Sequence, residues 1–125
     1  MPKKNAGTYV DGFVLTVPKK KLNAYRRMAT LASQIWREYG ALEYYECVGD
    51  DMKVKMGVSF PKLAKAKAGE VVVFAWITYR SRADRNKVNA AVMKDPRLSS
   101  MCDPSNPPFD MKRMSYGGFK TIVSA

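Results

Sequence analysis

The sequence predicts an α+β fold in which two helices cover one face of an antiparallel sheet. Three observations support this prediction. β-forming segments lie near both ends and in the middle of the chain, an amphipathic helical segment follows the first of them, and a capped helical segment follows the central one. A chain of 125 residues can form one hydrophobic core but not two. We therefore expect a flexible basic tail over residues 1–7 and a single domain over residues 8–125.

The first half of the chain predicts a strand, a long helix and a second strand. β-branched and aromatic residues predict the first strand from Thr8 to Val17, and Pro18 is expected to be the first residue of the helix. Gly40 is typical of the residue that follows a helix, and the second strand is expected over residues 41–48. The helix carries an apolar stripe at steps of three and four residues, formed by Leu22, Tyr25, Ala29, Ala32, Trp36 and Tyr39.

A long connection over residues 49–69 precedes the third strand. We expect an extended segment at 54–60 and a short basic helix or loop at 61–67. Connections of this length are often binding loops or lids, and the alternative is a short extra strand that completes a contact between subunits. The strongest strand pattern of the chain follows at 71–79, with apolar residues on both faces.

The last third of the chain predicts a second helix and a final strand. Ser81 with Asp84 three residues later is typical of a helix N-terminus. Asp95 followed by Pro96 predicts one further short turn, and the last strand is expected over residues 118–123.

The order of these elements, β-α-β-β-α-β, is the ferredoxin-like pattern. Its two helices cover only one face of the sheet, yet the first and third strands are apolar on both faces, and such strands are covered on both sides. A second copy of the chain is the simplest cover. The sequence therefore predicts a homodimer in which two sheets face each other, a dimeric α+β barrel.

The composition excludes several classes of site and leaves a polyanionic partner open. There are 22 Lys and Arg against 11 Asp and Glu, a formal net charge of +11, which suits nucleic acid but also serves general solubility. The absence of histidine excludes His-based triads, His-ligated zinc and His-ligated haem, and we expect neither metal nor cofactor. Without a membrane span or a signal peptide, and with Cys47 and Cys102 as lone thiols, we expect a reduced, cytoplasmic protein.

Four residues of the strands are candidates for chemistry. Asp11 stands between apolar neighbours, and a carboxylate facing a closed cavity is suited to acid–base catalysis; the alternative is a carboxylate bound to a backbone N–H or to an arginine. Tyr9 and Trp76 could stack on a flat ligand, or belong to the core. Glu46 could meet an arginine, most simply in a salt bridge.

Basic residues at the starts of the helices are candidates for binding an anion. Arg80, Arg82 and Arg85 cluster before and within the second helix, and Lys19–Lys21 lie at the first. Arg113 stands shortly before a double glycine. We take Arg80 and Arg113 as ligand-binding candidates, with a solvated basic surface as the alternative.

Many separate blocks together resemble the YbaA-like family, a bacterial family of unknown function. They extend over nearly the whole chain and include YVDGFV at 9–14, ECVGDD at 46–51, VVFAWI at 72–77, SRADR at 81–85 and PFDMKRM at 108–114. The resemblance implies a ferredoxin-like dimeric α+β barrel and no established activity. The wider barrel superfamily includes cofactor-free monooxygenases, haem degraders, isomerases and ligand sensors.

These observations favour a homodimer that binds a small anionic or aromatic molecule in a cavity beside each sheet, with or without cofactor-free turnover. The alternative is a basic module that binds RNA or other nucleic acid. A third hypothesis is a purely structural dimer.

Overall fold

The computed structural model of this protein describes residues 8–101 and 105–125. In these residues four strands form one sheet, β1 (Tyr9–Pro18), β2 (Glu43–Val48), β3 (Glu70–Tyr79) and β4 (Ser115–Lys120). The helices are α1 (Leu22–Glu38), α2 (Phe60–Leu63), α3 (Arg82–Met93) and α4 (Pro96–Ser100), with 3-10 turns at Lys19–Lys21 and Met111–Arg113. The expected tail at 1–7 and the thiol of Cys102 lie outside the described residues.

The sheet has the strand order β2-β3-β1-β4, and each neighbouring pair is antiparallel. Consecutive strands β2 and β3 are neighbours, while β1 lies between β3 and β4. This is the connectivity of the ferredoxin-like fold, so the predicted α+β class is confirmed.

Local sequence signals place the starts of α3 and α4 correctly. The Ser81 hydroxyl accepts a hydrogen bond from the Asp84 backbone N–H at 3.0 Å, which caps α3. Asp95 caps α4 in the same way, its carboxylate accepting from the backbone N–H of Arg97 at 2.8 Å. Gly40 follows α1 with a φ of 118°, a conformation that favours glycine.

Several predicted element positions are wrong. Pro18 ends β1 instead of opening the helix, because its backbone is extended (φ −58°, ψ 133°) and pairs with Glu70 of β3. β4 starts at Ser115, three residues before the expected position, because pairing with Tyr9–Val14 of β1 sets its register. Residues 54–59 form no strand; Phe60 starts α2, with the Ser59 hydroxyl capping its first turn.

The hydrophobic core lies between the sheet and the helices. Because alternate strand residues point to opposite faces, β1 and β3 each contribute every second residue to it. One part of the core joins Ile77 and Tyr79 to α1 and α3, and the other joins Leu15, Val17 and Val73 to α1. The opposite side of the sheet, which we call the open face, carries Val14, Tyr45, Phe74, Trp76 and Phe119.

No helix in residues 8–101 and 105–125 is long and apolar enough to cross a bilayer.

Candidate functional site

A cavity of about 440 Å³ lies between the helices and the sheet. This volume falls within the range of about 300–1,000 Å³ that is typical of small-molecule sites. Its walls are mainly apolar, and its rim includes the exposed side chains of Met93, Met111 and Tyr116. The lining includes five methionines and six aromatic residues: Met28, Met93, Met101, Met111, Met114, Phe13, Tyr25, Trp36, Tyr44, Phe109 and Tyr116.

One polar group of the cavity is built around Asp11. Its side chain points from β1 toward the helices and is only 1% exposed. Arg85 donates from Nη1 to Asp11 Oδ1 at 2.8 Å, and Asn89 donates from Nδ2 to Oδ2 at 3.4 Å. Arg85 also donates to the Tyr116 hydroxyl at 2.8 Å and lies over the Tyr9 ring, 5.0 Å from its centroid. Asp11 is therefore a fixed carboxylate whose charge is compensated by one guanidinium.

Asn89 connects this group to the core. Its Oδ1 accepts hydrogen bonds from Trp36 Nε1 at 2.9 Å and from the Tyr79 hydroxyl at 3.1 Å. Because both donors bind Oδ1 of Asn89, the side-chain nitrogen of the same amide faces Asp11. Burial, followed by the charge of Asp11, raises the pKa of Tyr79, so its hydroxyl remains a donor at neutral pH. The network holds the orientation of the Asp11 carboxylate from the helix side.

A second polar group is built around Glu46 of β2. The Tyr25 hydroxyl donates to Glu46 Oε1 at 2.6 Å, and the Tyr44 hydroxyl donates to Oε2 at 2.8 Å. Burial raises the pKa of Glu46 above its ordinary value, and the two tyrosine hydrogen bonds oppose that rise. Burial is also the largest cause of the raised pKa values of Tyr25 and Tyr44, followed by the Glu46 charge. Glu46 is thus a carboxyl group of raised proton affinity, a property shared by groups that carry protons in catalysis.

Glu46 can be approached from two sides. It lines the cavity, and it also lines a groove of about 280 Å³ between α1 and β2. The groove has a cation, Arg26, whereas no lysine or arginine lines the cavity within residues 8–101 and 105–125.

The structure brings together only two of the five predicted site residues. Tyr9 and Asp11 meet through Arg85. Trp76 lies on the open face, where its ring centroid is 5.0 Å from that of Tyr45. Arg80 is exposed and takes part in none of the ion pairs found among the described residues.

Arg113 is part of an ion-pair cluster and is not one of the cavity-lining residues. Its Nη2 lies 2.7 Å from Glu70 Oε2, and its Nε lies 3.2 Å from Asp110 Oδ2. Hydrogen bonding to Arg113 lowers the pKa of Glu70 to about 2. Both acceptors belong to the protein, so the guanidinium ties the start of β3 to the turn before β4.

Sequence reasoning missed several residues of the site. Glu46 was expected in a salt bridge, but its hydrogen bonds in the described structure come from two tyrosines. Arg85 and Asn89, four residues apart, lie on one helix face, and this spacing could have distinguished Arg85 from Arg80. The partnership of Tyr25 with Glu46 has no local signal, because it depends on how α1 packs on β2.

Comparison with known proteins identifies relatives that are described as uncharacterised. A family model described as "Protein of unknown function (DUF1428)" matches residues 8–111. "Uncharacterized protein YbaA" of Escherichia coli strain K12 is 44% identical over 115 residues, which cover 92% of this chain and 97% of that protein. The protein of the same name from Shigella flexneri matches equally.

A solved structure of similar fold is described as a dimeric ferredoxin-like protein from an uncultured marine organism. It aligns with a TM-score of 0.51 at 10% sequence identity, covering 94% of this chain and 98% of its own. At this identity the similarity supports the fold alone.

Proposed function

Since this chain belongs to the DUF1428 family of proteins of unknown function, its role must be inferred from its own cavity, and we propose that it binds a small, largely apolar organic molecule there. The observation that supports this proposal is the cavity of about 440 Å³ with methionine and aromatic walls and two oriented carboxyl groups. Unbranched methionine side chains adapt to ligands of different shape. A few directed polar groups within apolar walls are typical of small-molecule sites.

A cavity-filling substitution tests this proposal. Ala32 is buried on α1 and lines the cavity, whereas Ala24 is exposed on the same helix. We expect Ala32→Phe to weaken binding of the neutral fluorescent probe N-phenyl-1-naphthylamine at least tenfold, and Ala24→Phe to leave it unchanged. Equal binding by wild type and Ala32→Phe would mean that the probe occupies another surface. Native mass spectrometry of gently purified protein would show whether a natural ligand is retained.

The acid–base role of Asp11 stays a prediction. Its carboxylate lines the cavity and already binds Arg85. Once a retained molecule is identified, Asp11→Asn tests the role directly, and unchanged conversion of that molecule by the variant would exclude it.

We also propose that two copies associate through their open faces. Tyr45 and Phe74 are each 43% exposed and Phe119 is 61% exposed. Phe60 and Trp76 extend this surface, with ring centroids 6.1 and 5.5 Å from that of Phe74. Contiguous exposed apolar surface marks interaction sites, and the solved protein of similar fold is described as dimeric.

A charge placed on the open face tests the dimer. Phe74→Glu should convert the protein to a monomer in native mass spectrometry and light scattering at micromolar concentration, because an unpaired carboxylate would be buried. Gln34→Glu adds the same charge on an exposed position of α1 and should leave the dimer intact. A wild-type monomer would contradict the proposal.

Binding of RNA is the second candidate function, and one observation favours it. Basic residues that are distant in sequence meet at one end of the sheet, because the Lys19 N–H donates to the Gly69 carbonyl at 2.8 Å and Arg113 donates to the Lys65 carbonyl at 3.2 Å. We call this exposed set the basic end. It consists of Lys19, Lys20, Lys65, Lys67 and Lys112.

The salt dependence of RNA affinity tests the basic end. Replacing two contacting lysines in Lys19→Gln/Lys67→Gln should lower the slope of log affinity against log salt concentration by about 1.4 for a single strand. Lys87→Gln/Lys94→Gln removes the same charge from exposed positions at α3 and should change the slope less. Equal slopes for the two variants would indicate only general attraction to a basic protein.

We propose that the protein acts in the cytoplasm, where an exposed free thiol such as that of Cys47 stays reduced.

A further inference from the structure

The charges that face the cavity are opposite in sign to the charge of the whole molecule. The protein has a formal net charge of +11, but among the described residues the charged ones that line the cavity are the two carboxylates Asp11 and Glu46. An anionic ligand would therefore meet negative groups inside the cavity. This contrast bears on the class of molecule that the cavity accepts.

The two carboxylates are not equivalent. Asp11 lies 2.8 Å from the Arg85 guanidinium, so a cation of the protein balances it. Glu46 receives hydrogen bonds from the neutral hydroxyls of Tyr25 and Tyr44 and belongs to none of the ion pairs in the part of the chain that the structure describes. A carboxylate offers about four acceptor positions, so Glu46 has acceptor capacity that these two tyrosines do not use.

The walls next to Glu46 suit a cation as well as an apolar body. The ring centroids of Trp36 and Tyr44 lie 6.1 Å apart, and those of Tyr25 and Phe109 lie 5.7 Å apart. Aromatic faces attract ammonium groups, and the attraction is stronger where water is excluded. Two aromatic pairs therefore border the cavity that Glu46 enters from the sheet.

We propose that the cavity selects a primary amine with an apolar, aromatic body, and that Glu46 is the residue that recognises its ammonium group. The inference rests on the proposed function and specifies the ligand class. An ammonium group would donate to the remaining acceptor positions of Glu46, while the body of the molecule would contact the methionine and aromatic walls. Arg26 lies on the groove side of Glu46, so the selection applies to the cavity side.

Three probes with one naphthalene ring and different head groups test the inference: 1-naphthylmethylamine, 1-naphthylmethanol and 1-naphthoate. Affinities are measured by calorimetry at neutral pH and about 0.15 M salt, where the field of the distant lysines is screened beyond about 8 Å. We expect the amine to bind about 10- to 100-fold more tightly than the alcohol, the range of a charge-assisted hydrogen bond, and the naphthoate to bind most weakly.

Two variants of β2 test whether the preference for the amine depends on one carboxylate. Glu46→Gln should remove most of the advantage of the amine over the alcohol. Glu43→Gln is the matched control, because Glu43 lies on the opposite face of the same strand and accepts a hydrogen bond from Thr78 Oγ1 at 3.2 Å; it should preserve that advantage.

The outcomes separate this inference from the proposed function. Naphthoate binding as tightly as the amine, or an unchanged amine preference in Glu46→Gln, would overturn the amine assignment while leaving the cavity as a ligand site. Failure of all three probes, together with failure of the neutral probe used for Ala32→Phe, would overturn both.

Discussion

The ion pair between Asp11 and Arg85 provides a direct test of how the site is held together. In Arg85→Met the hydrophobic part of the side chain is kept and the guanidinium is lost. The Asp11 carboxylate is 1% exposed, so water cannot replace the missing donor without a rearrangement. The Asn89 amide, 3.4 Å from Oδ2, is a weaker donor that stays in place.

The loss of stability can be estimated from the burial of this pair. Removing one partner of a buried ion pair costs about 3–5 kcal/mol, because an uncompensated charge is left behind. With about 2.1 cal/mol/K of unfolding entropy per residue, a chain of 125 residues loses about 4 °C in Tm per kcal/mol. Arg85→Met should therefore lower Tm by about 12–20 °C, a large part of the stability of an ordinary domain.

Asp11→Asn should cost much less. The asparagine oxygen can still accept from Arg85, and the guanidinium is 13% exposed and still donates to the Tyr116 hydroxyl. We expect a loss of about 1–2 kcal/mol, the scale of one weakened hydrogen bond.

Urea unfolding followed by circular dichroism, at a fixed protomer concentration, compares wild type, both single variants and the double variant. In the Asp11→Asn background, Arg85→Met should cost at least about 1.5 kcal/mol less than in the wild type, because the two side chains are directly coupled. Additive losses, or a loss below about 1 kcal/mol for Arg85→Met alone, would refute the argument that this pair compensates a buried charge.

Three further predictions concern titration and close packing. The guanidinium that binds Glu70 lowers its pKa to about 2, so Glu70 stabilises the fold above pH 4.5 and this contribution is lost as the pH falls toward 2. Glu70→Gln should flatten the curve of unfolding free energy against pH between these two values. A variant curve as steep as that of the wild type would contradict this. Burial raises the pKa of Glu46, so wild-type stability should rise as the pH falls through that raised pKa toward 4.5. Glu46→Gln should lose this rise, whereas persistence of the rise would assign it to another group. A Cβ atom at Gly118 would lie 2.8 Å from Tyr9 Cε2, so Gly118→Ala should displace the ring and cost about 1–3 kcal/mol. Gly117→Ala, whose Cβ meets its nearest neighbour at 3.7 Å, should cost far less in the same unfolding assay, and equal losses would show that the ring moves freely.

Much of the fold follows from signals that are local in the sequence. Ser81 and Asp95 cap helices because their side chains reach the N–H groups of the next turn, and Gly40 follows α1 because its backbone adopts a positive φ. These effects act over three or four residues, so they can be predicted without knowledge of distant contacts. Strand patterns and helical periodicity are also local, and they predict the order of strands and helices that is typical of the ferredoxin-like fold.

The identity of the strand faces could not be predicted in the same way. Because β1 and β3 are apolar on both sides, alternation divides each strand into two sets of residues without showing which set meets the helices. The structure places Asp11 on the helix side and Trp76 on the other, so these two candidates do not share a cavity. The start of β4 at Ser115 likewise depends on its register with β1.

The sequence alone determined the class of the fold, the helix caps, the apolar character of both sheet faces and the absence of histidine from any site. Only the tertiary structure decided which charged groups meet. Asp11 and Arg85 are 74 residues apart and Glu46 and Tyr25 are 21 apart, and each pair forms because a helix packs on the sheet at one particular rotation. Periodicity shows that a helix has an apolar face, but the partner of each polar residue on that face depends on packing across the whole domain.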